Sequence, residues 1–209
     1  MSNQPERRRR FVRATAPAFG LLAAGLLVWQ GSYAAFSATT QDNTNTWSTA
    51  TLSLTNDGGV AAAYAATTTA TFGGANLKPG ATGTTCLTVK SVGTSAGSMA
   101  MYESALVDSA PSLGAQIKLT VDAAPVASEV VANCTGFPGA STSVSVNLPL
   151  AGVGSFPVTY AAGTPIAVAT GTILTAYRVT WTFATTGSNP GDNLLQGKTV
   201  TAGFTWELQ

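Results

Sequence analysis

From residue 46 onward, apolar and polar side chains change places at every second position, the period of a strand laid on a half-buried sheet. Residues 46–54 place Ala50, Leu52 and Leu54 on one face and Thr49, Thr51 and Ser53 on the other. Residues 98–107 set Met99, Met101 and Glu103 against Ala100, Tyr102 and Ser104, and residues 116–121 set Ile117, Leu119 and Val121 against Lys118 and Thr120. Residues 143–150 carry Val144, Val146 and Leu148 on one face. The alternation is sharpest at 177–183, where Tyr177, Val179, Trp181 and Phe183 oppose Arg178, Thr180 and Thr182. A last strand at 199–208 lines up Val200, Ala202, Phe204 and Trp206, and another at 82–92 contains Cys86. Residues 60–72 are mixed: the Ala-rich 61–66 has helix propensity, while Thr-rich 67–71 favours a strand.

Turn-forming clusters punctuate these segments: Asn56-Asp57-Gly58-Gly59, Gly73-Gly74, Asn76-Leu77-Lys78-Pro79-Gly80 with Pro in second place, and Asn189-Pro190-Gly191-Asp192. The pattern predicts about eight to ten short strands. Nothing alternates strand with helix, so a parallel sheet is disfavoured and two antiparallel sheets packed face to face are expected, an all-β sandwich.

The first 45 residues differ. Arg7, Arg8, Arg9, Arg10 and Arg13 form a basic run, residues 14–41 carry no charge, and Gly31, Ser32, Ala34 and Ala35 supply small side chains. This is the order of a secretory signal peptide, which is expected to form a helix before removal. By the small-x-small rule, Ser32-Tyr33-Ala34 places the cut after Ala34. The competing reading is a retained anchor, since 14–36 is long enough to span a bilayer. Both readings leave the N-terminus inside the cell. Residues 36–45 read as a polar, extended arm leading into the first strand.

The formal charge of +1 is a product of that leader. Beyond residue 35 the chain keeps five basic residues (Lys78, Lys90, Lys118, Arg178 and Lys198) and eight acidic ones, a net charge of −3. So sparse and weakly acidic a surface cannot neutralise a row of phosphates, which argues against nucleic acid as a partner. The two cysteines, Cys86 and Cys134, read as one disulfide in an exported chain, or else as two buried thiols.

Candidate chemistry is thin. With no histidine, the chain lacks the usual zinc-protease, Ser-His-Asp and Cys-His arrangements. No Gly-rich phosphate loop occurs. Asp42, Asp57, Asp108, Asp122 and Asp192 all sit in or near predicted turns and read as turn formers; the sharper alternative is a calcium site, although no loop concentrates enough oxygen ligands. Trp47, Trp181 and Trp206 read as core residues by their place in the alternation, with a sugar platform as the alternative. The expectation is a protein that is not an enzyme and holds no cofactor or metal.

Several segments together resemble the TasA/camelysin family of Gram-positive bacteria, especially its actinobacterial members, which are exported through a dedicated signal peptidase, SipW. They are the junction Gly31-Ser32-Tyr33-Ala34-Ala35-Phe36-Ser37, the strand at 46–54, the turn Asn76-Leu77-Lys78-Pro79-Gly80, and the tail at 177–183, 195–199 and 204–207. Residues 91–176 carry little of the resemblance. It implies cleavage between Ala35 and Phe36, a jelly-roll fold, and a secreted matrix or cell-surface protein assembling into biofilm-type fibres with itself or with other surface proteins. In such fibres an N-terminal strand enters the next subunit. Here the candidate donor is 36–54, with Trp47, Ala50, Leu52 and Leu54, ahead of a sandwich domain at 55–209. The alternatives are an ordinary first strand and, for function, a monomeric surface adhesin. The protease activity described for camelysin is not carried over, because this chain lacks histidine.

Overall fold

The computed structural model describes residues 38–41, 52–68 and 72–209. The leader at 1–35, the junction between Ala35 and Phe36, and Asp42, Trp47 and Ala50 lie outside them. Among the described residues nine strands are present: β1 (Ala38–Gln41), β2 (Leu52–Asn56), β3 (Thr82–Gly93), β4 (Gly97–Asp108), β5 (Ile117–Val126), β6 (Thr142–Pro149), β7 (Ile166–Val168), β8 (Gly171–Phe183) and β9 (Val200–Leu208). One sheet has the order β1-β9-β4-β7, the other β2-β3-β8-β5-β6. Every pairing is antiparallel.

The period-2 pattern explains how the sheets meet. On β8, Tyr177, Val179, Trp181 and Phe183 are buried, as are Met99 and Met101 of β4, Leu119 and Val121 of β5, and Phe204, Trp206 and Leu208 of β9. These side chains from both sheets form one core. Phe156 packs edge-on against Phe204 with ring centroids 5.5 Å apart, and Tyr177 packs against Trp206 at 5.6 Å. Burying about a dozen large apolar side chains at roughly 1.5–3 kcal/mol each supplies the drive for the layers to close.

The turn chemistry also holds where Pro and Gly dictate it. The Ala81 N–H donates to the Lys78 carbonyl across Pro79 and Gly80, and Gly80 takes φ +88°, the left-handed value a type II turn needs at that position. At Gly83 the reason for glycine is space: an added Cβ would stand 2.7 Å from the Trp181 indole on the paired strand.

Four expectations are corrected. Residues 57–68 are turns with one bridge, Asn56 to Ala65, so 61–66 do not form a helix; most of the strand expected at 67–71 lies outside the described residues. Asp122 lies inside β5, which runs on to Val126, and forms an ion pair with Arg178 at 2.8 Å. Val146 is 66% exposed instead of sharing a buried face with Val144, because β6 slips register against β5 and Asn147 takes φ +54°. Residues 189–194 are a short helix, α1 (Asn189–Leu194), because the Ser188 side chain accepts from the Gly191 N–H and Pro190 is tolerated in the first turn.

No helix among the described residues is long and apolar enough to cross a membrane.

Candidate functional site

The sheet edges of a β-sandwich are candidate binding surfaces, because unpaired backbone N–H and C=O groups there are templates for another strand. The edges here are β1 and β7 in one sheet and β2 and β6 in the other. β7 has only 3 residues. β6 is bulged against its neighbour and ends at Pro149, features that discourage further pairing.

The other two edges belong to the N-terminal arm. β1 lies on β9 with Ala38 opposite Leu208 and Gln41 opposite Thr205. β2 lies on β3 with Leu52 opposite Gly93 and Asn56 opposite Val89. The arm therefore supplies an edge strand to each sheet. Its holds are short, 4 residues in β1 and 5 in β2, against 9 in β9 and 12 in β3. Leu54 of β2 is buried in the core.

Past β2, the edge of β3 is closed by side chains and a flap. Asp57 Oδ1 accepts from the N–H groups of Thr88 and Gly59, and the Asp57 N–H donates to the Thr88 carbonyl. Gly59 has φ +80°, and a Cβ there would meet the Cys86 carbonyl at 2.9 Å, so only glycine lets the turn approach this closely. Residues 127–137 cross the outer face: Thr88 Oγ1 accepts from the Val130 N–H and donates to its carbonyl, and the Ala132 carbonyl accepts from the Cys86 N–H. The Cys86–Cys134 disulfide fastens this flap, whose Val130 is buried with Cys86 and Ala176 of the sheet. Arg178 stacks on the flap's Phe137, 4.5 Å from the ring centroid.

Beside the flap is an open groove of about 460 Å³ lined by Tyr64, Lys90, Val126, Glu129 and Leu174, among others. The Lys90 ammonium lies 5.3 Å from the Tyr64 ring centroid, and Glu129 Oε2 accepts from the Ala62 N–H. Burial, then the charges of Glu129 and Asp57, holds the Tyr64 phenol protonated. Burial also raises the Asp57 carboxyl above the ordinary range, opposed by its bonds from Thr88 and Gly59.

Among the turn acids, Asp57 feels the charge of another carboxylate, Glu129. Asp108 caps its own loop through the N–H groups of Leu113 and Gly114. Asp192 accepts from Thr185 and Thr186, which lowers its pKa. No group of three or more metal-ligating side chains occurs among the described residues. Trp181 and Trp206 are core residues at 8% and 2% exposure. The groove was not legible beforehand: Lys90 shows as an outward position on its strand, but Tyr64 and Glu129 reach it from separate loops with no periodic signal.

No family model matches the chain, and no curated protein matches it.

Proposed function

We propose that this chain is an exported structural protein of the cell surface or extracellular matrix, whose copies join when the N-terminal arm of one adds a strand to the sheet of the next. The observation that carries this reading is that the arm occupies the edge position of both sheets through short ladders, so one segment exchanged between chains would be replaced bond for bond. Such an exchange is heterologous and does not close on itself, so it gives filaments. The disulfide is compatible with an oxidising, extracellular setting.

The jelly-roll reading belongs here too. The order β1-β9-β4-β7 faces β3-β8-β5-β6, with β2 added beside β3 as an extra edge strand. Consecutive strands from β3 on change sheet at β3 to β4, β4 to β5, β6 to β7, β7 to β8 and β8 to β9, an alternation that supports a jelly-roll reading. Together with the quoted motifs, this supports membership of a TasA/camelysin-like group.

The test compares residues 36–209 with a version lacking 36–54. Concentration-dependent filaments in electron micrographs are expected from the first and not the second. Monomers from both, each with the near-UV signature of packed tryptophans, would defeat the proposal. A monomeric adhesin is the second reading, favoured by the groove between Tyr64, Lys90 and Glu129, and monomers from both samples would point to it.

A further inference from the structure

The alternation of β4 carries a carboxyl group into the apolar layer. Met99, Met101 and Glu103 share one face; the two methionines are fully buried, and Glu103 is 5% exposed. Glu103 Oε2 is buried and has no hydrogen-bond partner among the described residues. The backbone is held on both sides of this residue. Its N–H donates to the Pro157 carbonyl at 2.7 Å, its partner on β9 is Phe204, and the register shifts between Glu103 and Ala105. A bulge of this kind fixes where a side chain aims.

Among the described residues no lysine or arginine is buried, so the inner faces offer Glu103 no compensating charge. β9 presents Phe204, Trp206 and Leu208, and the connection from β6 presents Phe156. Across the sandwich β5 presents Leu119 and Val121, and β8 presents Tyr177, Val179 and Trp181. Tyr177 is the one titratable group in this set, and burial keeps its phenol protonated. The nearest acid in register, Glu207, belongs to the opposite face of β9, where it accepts from the Tyr102 hydroxyl. A buried carboxylate with no partner is among the costliest groups a core can hold, whereas the protonated acid is far cheaper.

We propose that Glu103 is a proton-operated lock on the β4–β9 bulge. Protonated, it rests in the apolar layer and the two strands stay closed; giving its proton to solvent, it forces the bulge to open toward water. The inference is independent of assembly, because it concerns the fold of one chain. β9 is nevertheless the strand that carries β1, so a loosened bulge weakens the arm's seat.

Burial moves the Glu103 carboxyl from 4.5 to about 7, with no other cause among the described residues. The folded-state value lies above the unfolded one, so the stabilisation is fully present below 4.5. It is lost as pH rises through about 7, and the profile is flat beyond. Asp57 shifts in the same direction and Asp192 in the opposite one, but both are common to wild type and variant and cancel in a comparison.

The experiment is denaturant unfolding of the full chain from pH 5 to 8 for wild type, Glu103→Gln and Glu103→Leu. The ratio of wild-type to variant unfolding constants is expected to rise by at least about tenfold across that window, at up to about tenfold per pH unit. A ratio that stays constant overturns the proposal. Should both variants fail to fold, infrared spectra of the wild type decide. A protonated carboxyl band persisting at pH 6 and gone at pH 8 is expected, and its absence at pH 6 overturns the lock.

Discussion

Among the described residues Tyr177 is the largest fully buried side chain, and its hydroxyl has no hydrogen-bond partner there. Removing an unsatisfied buried hydroxyl relieves a desolvation cost, so Tyr177→Phe is expected to raise unfolding stability by about 1 kcal/mol, read from denaturant midpoints. Asp57→Ala goes the other way. It leaves the Thr88 and Gly59 N–H groups unpaired in a buried site, at a cost of about 3 kcal/mol by the same measurement. Gly83→Ala drives a methyl into the Trp181 ring and is expected to cost about 1–3 kcal/mol. Inward and outward residues of β8 and β9 were legible in the sequence because each strand keeps strict alternation. The roles of Asp57 and Glu103 were not. A turn former and a buried acceptor look alike in sequence, and a glutamate among methionines shows its cost only once both sheets have closed over it.

Among the elements, β4, β8 and β9 follow the expected alternation over much of their length, whereas β3 buries four residues in a row, Cys86 to Val89, because the flap covers its outer side. The exceptions have local causes. β6 lost its expected face to two register shifts and the left-handed Asn147. The turn read at 189–192 closed into α1 because a serine cap outweighed Pro190 and Gly191. β7 escaped notice because 3 residues carry no period. The flap at 127–137 has no regular structure and is tied down by side chains and the disulfide, so only the cysteine pair hinted at it. Reducing Cys86–Cys134, which closes a span of 48 positions, is expected to cost roughly 4 kcal/mol in the chain-entropy model. Unfolding with and without a reductant, monitored by tryptophan fluorescence, checks this. An unchanged midpoint would mean that the flap's hydrogen bonds hold it alone.

At the scale of the whole molecule, the sandwich buries most of the aromatics on its strands, uses Asp57, Asp108 and Asp192 to close turns and caps, and leaves short ladders at the arm. Alternation and turn clusters pointed to the layered sheets, because period-2 segments bounded by Gly, Pro, Asn and Asp suit short antiparallel strands. Which strands end up at the edges was not legible, since β1 and β2 pair with β9 and β3, partners decided by how the chain wraps. Assembly by arm exchange is tested most directly by a register-specific cross-link. Thr39 and Glu207 are opposite each other on β1 and β9, so Thr39→Cys with Glu207→Cys places one thiol on the arm and one on its seat. Two differently tagged populations of this double variant are unfolded, mixed, refolded at high concentration and oxidised. Cross-links joining the two tags, in ladders that lengthen with concentration, are the expected result; cross-links confined within single chains at every concentration would contradict arm exchange.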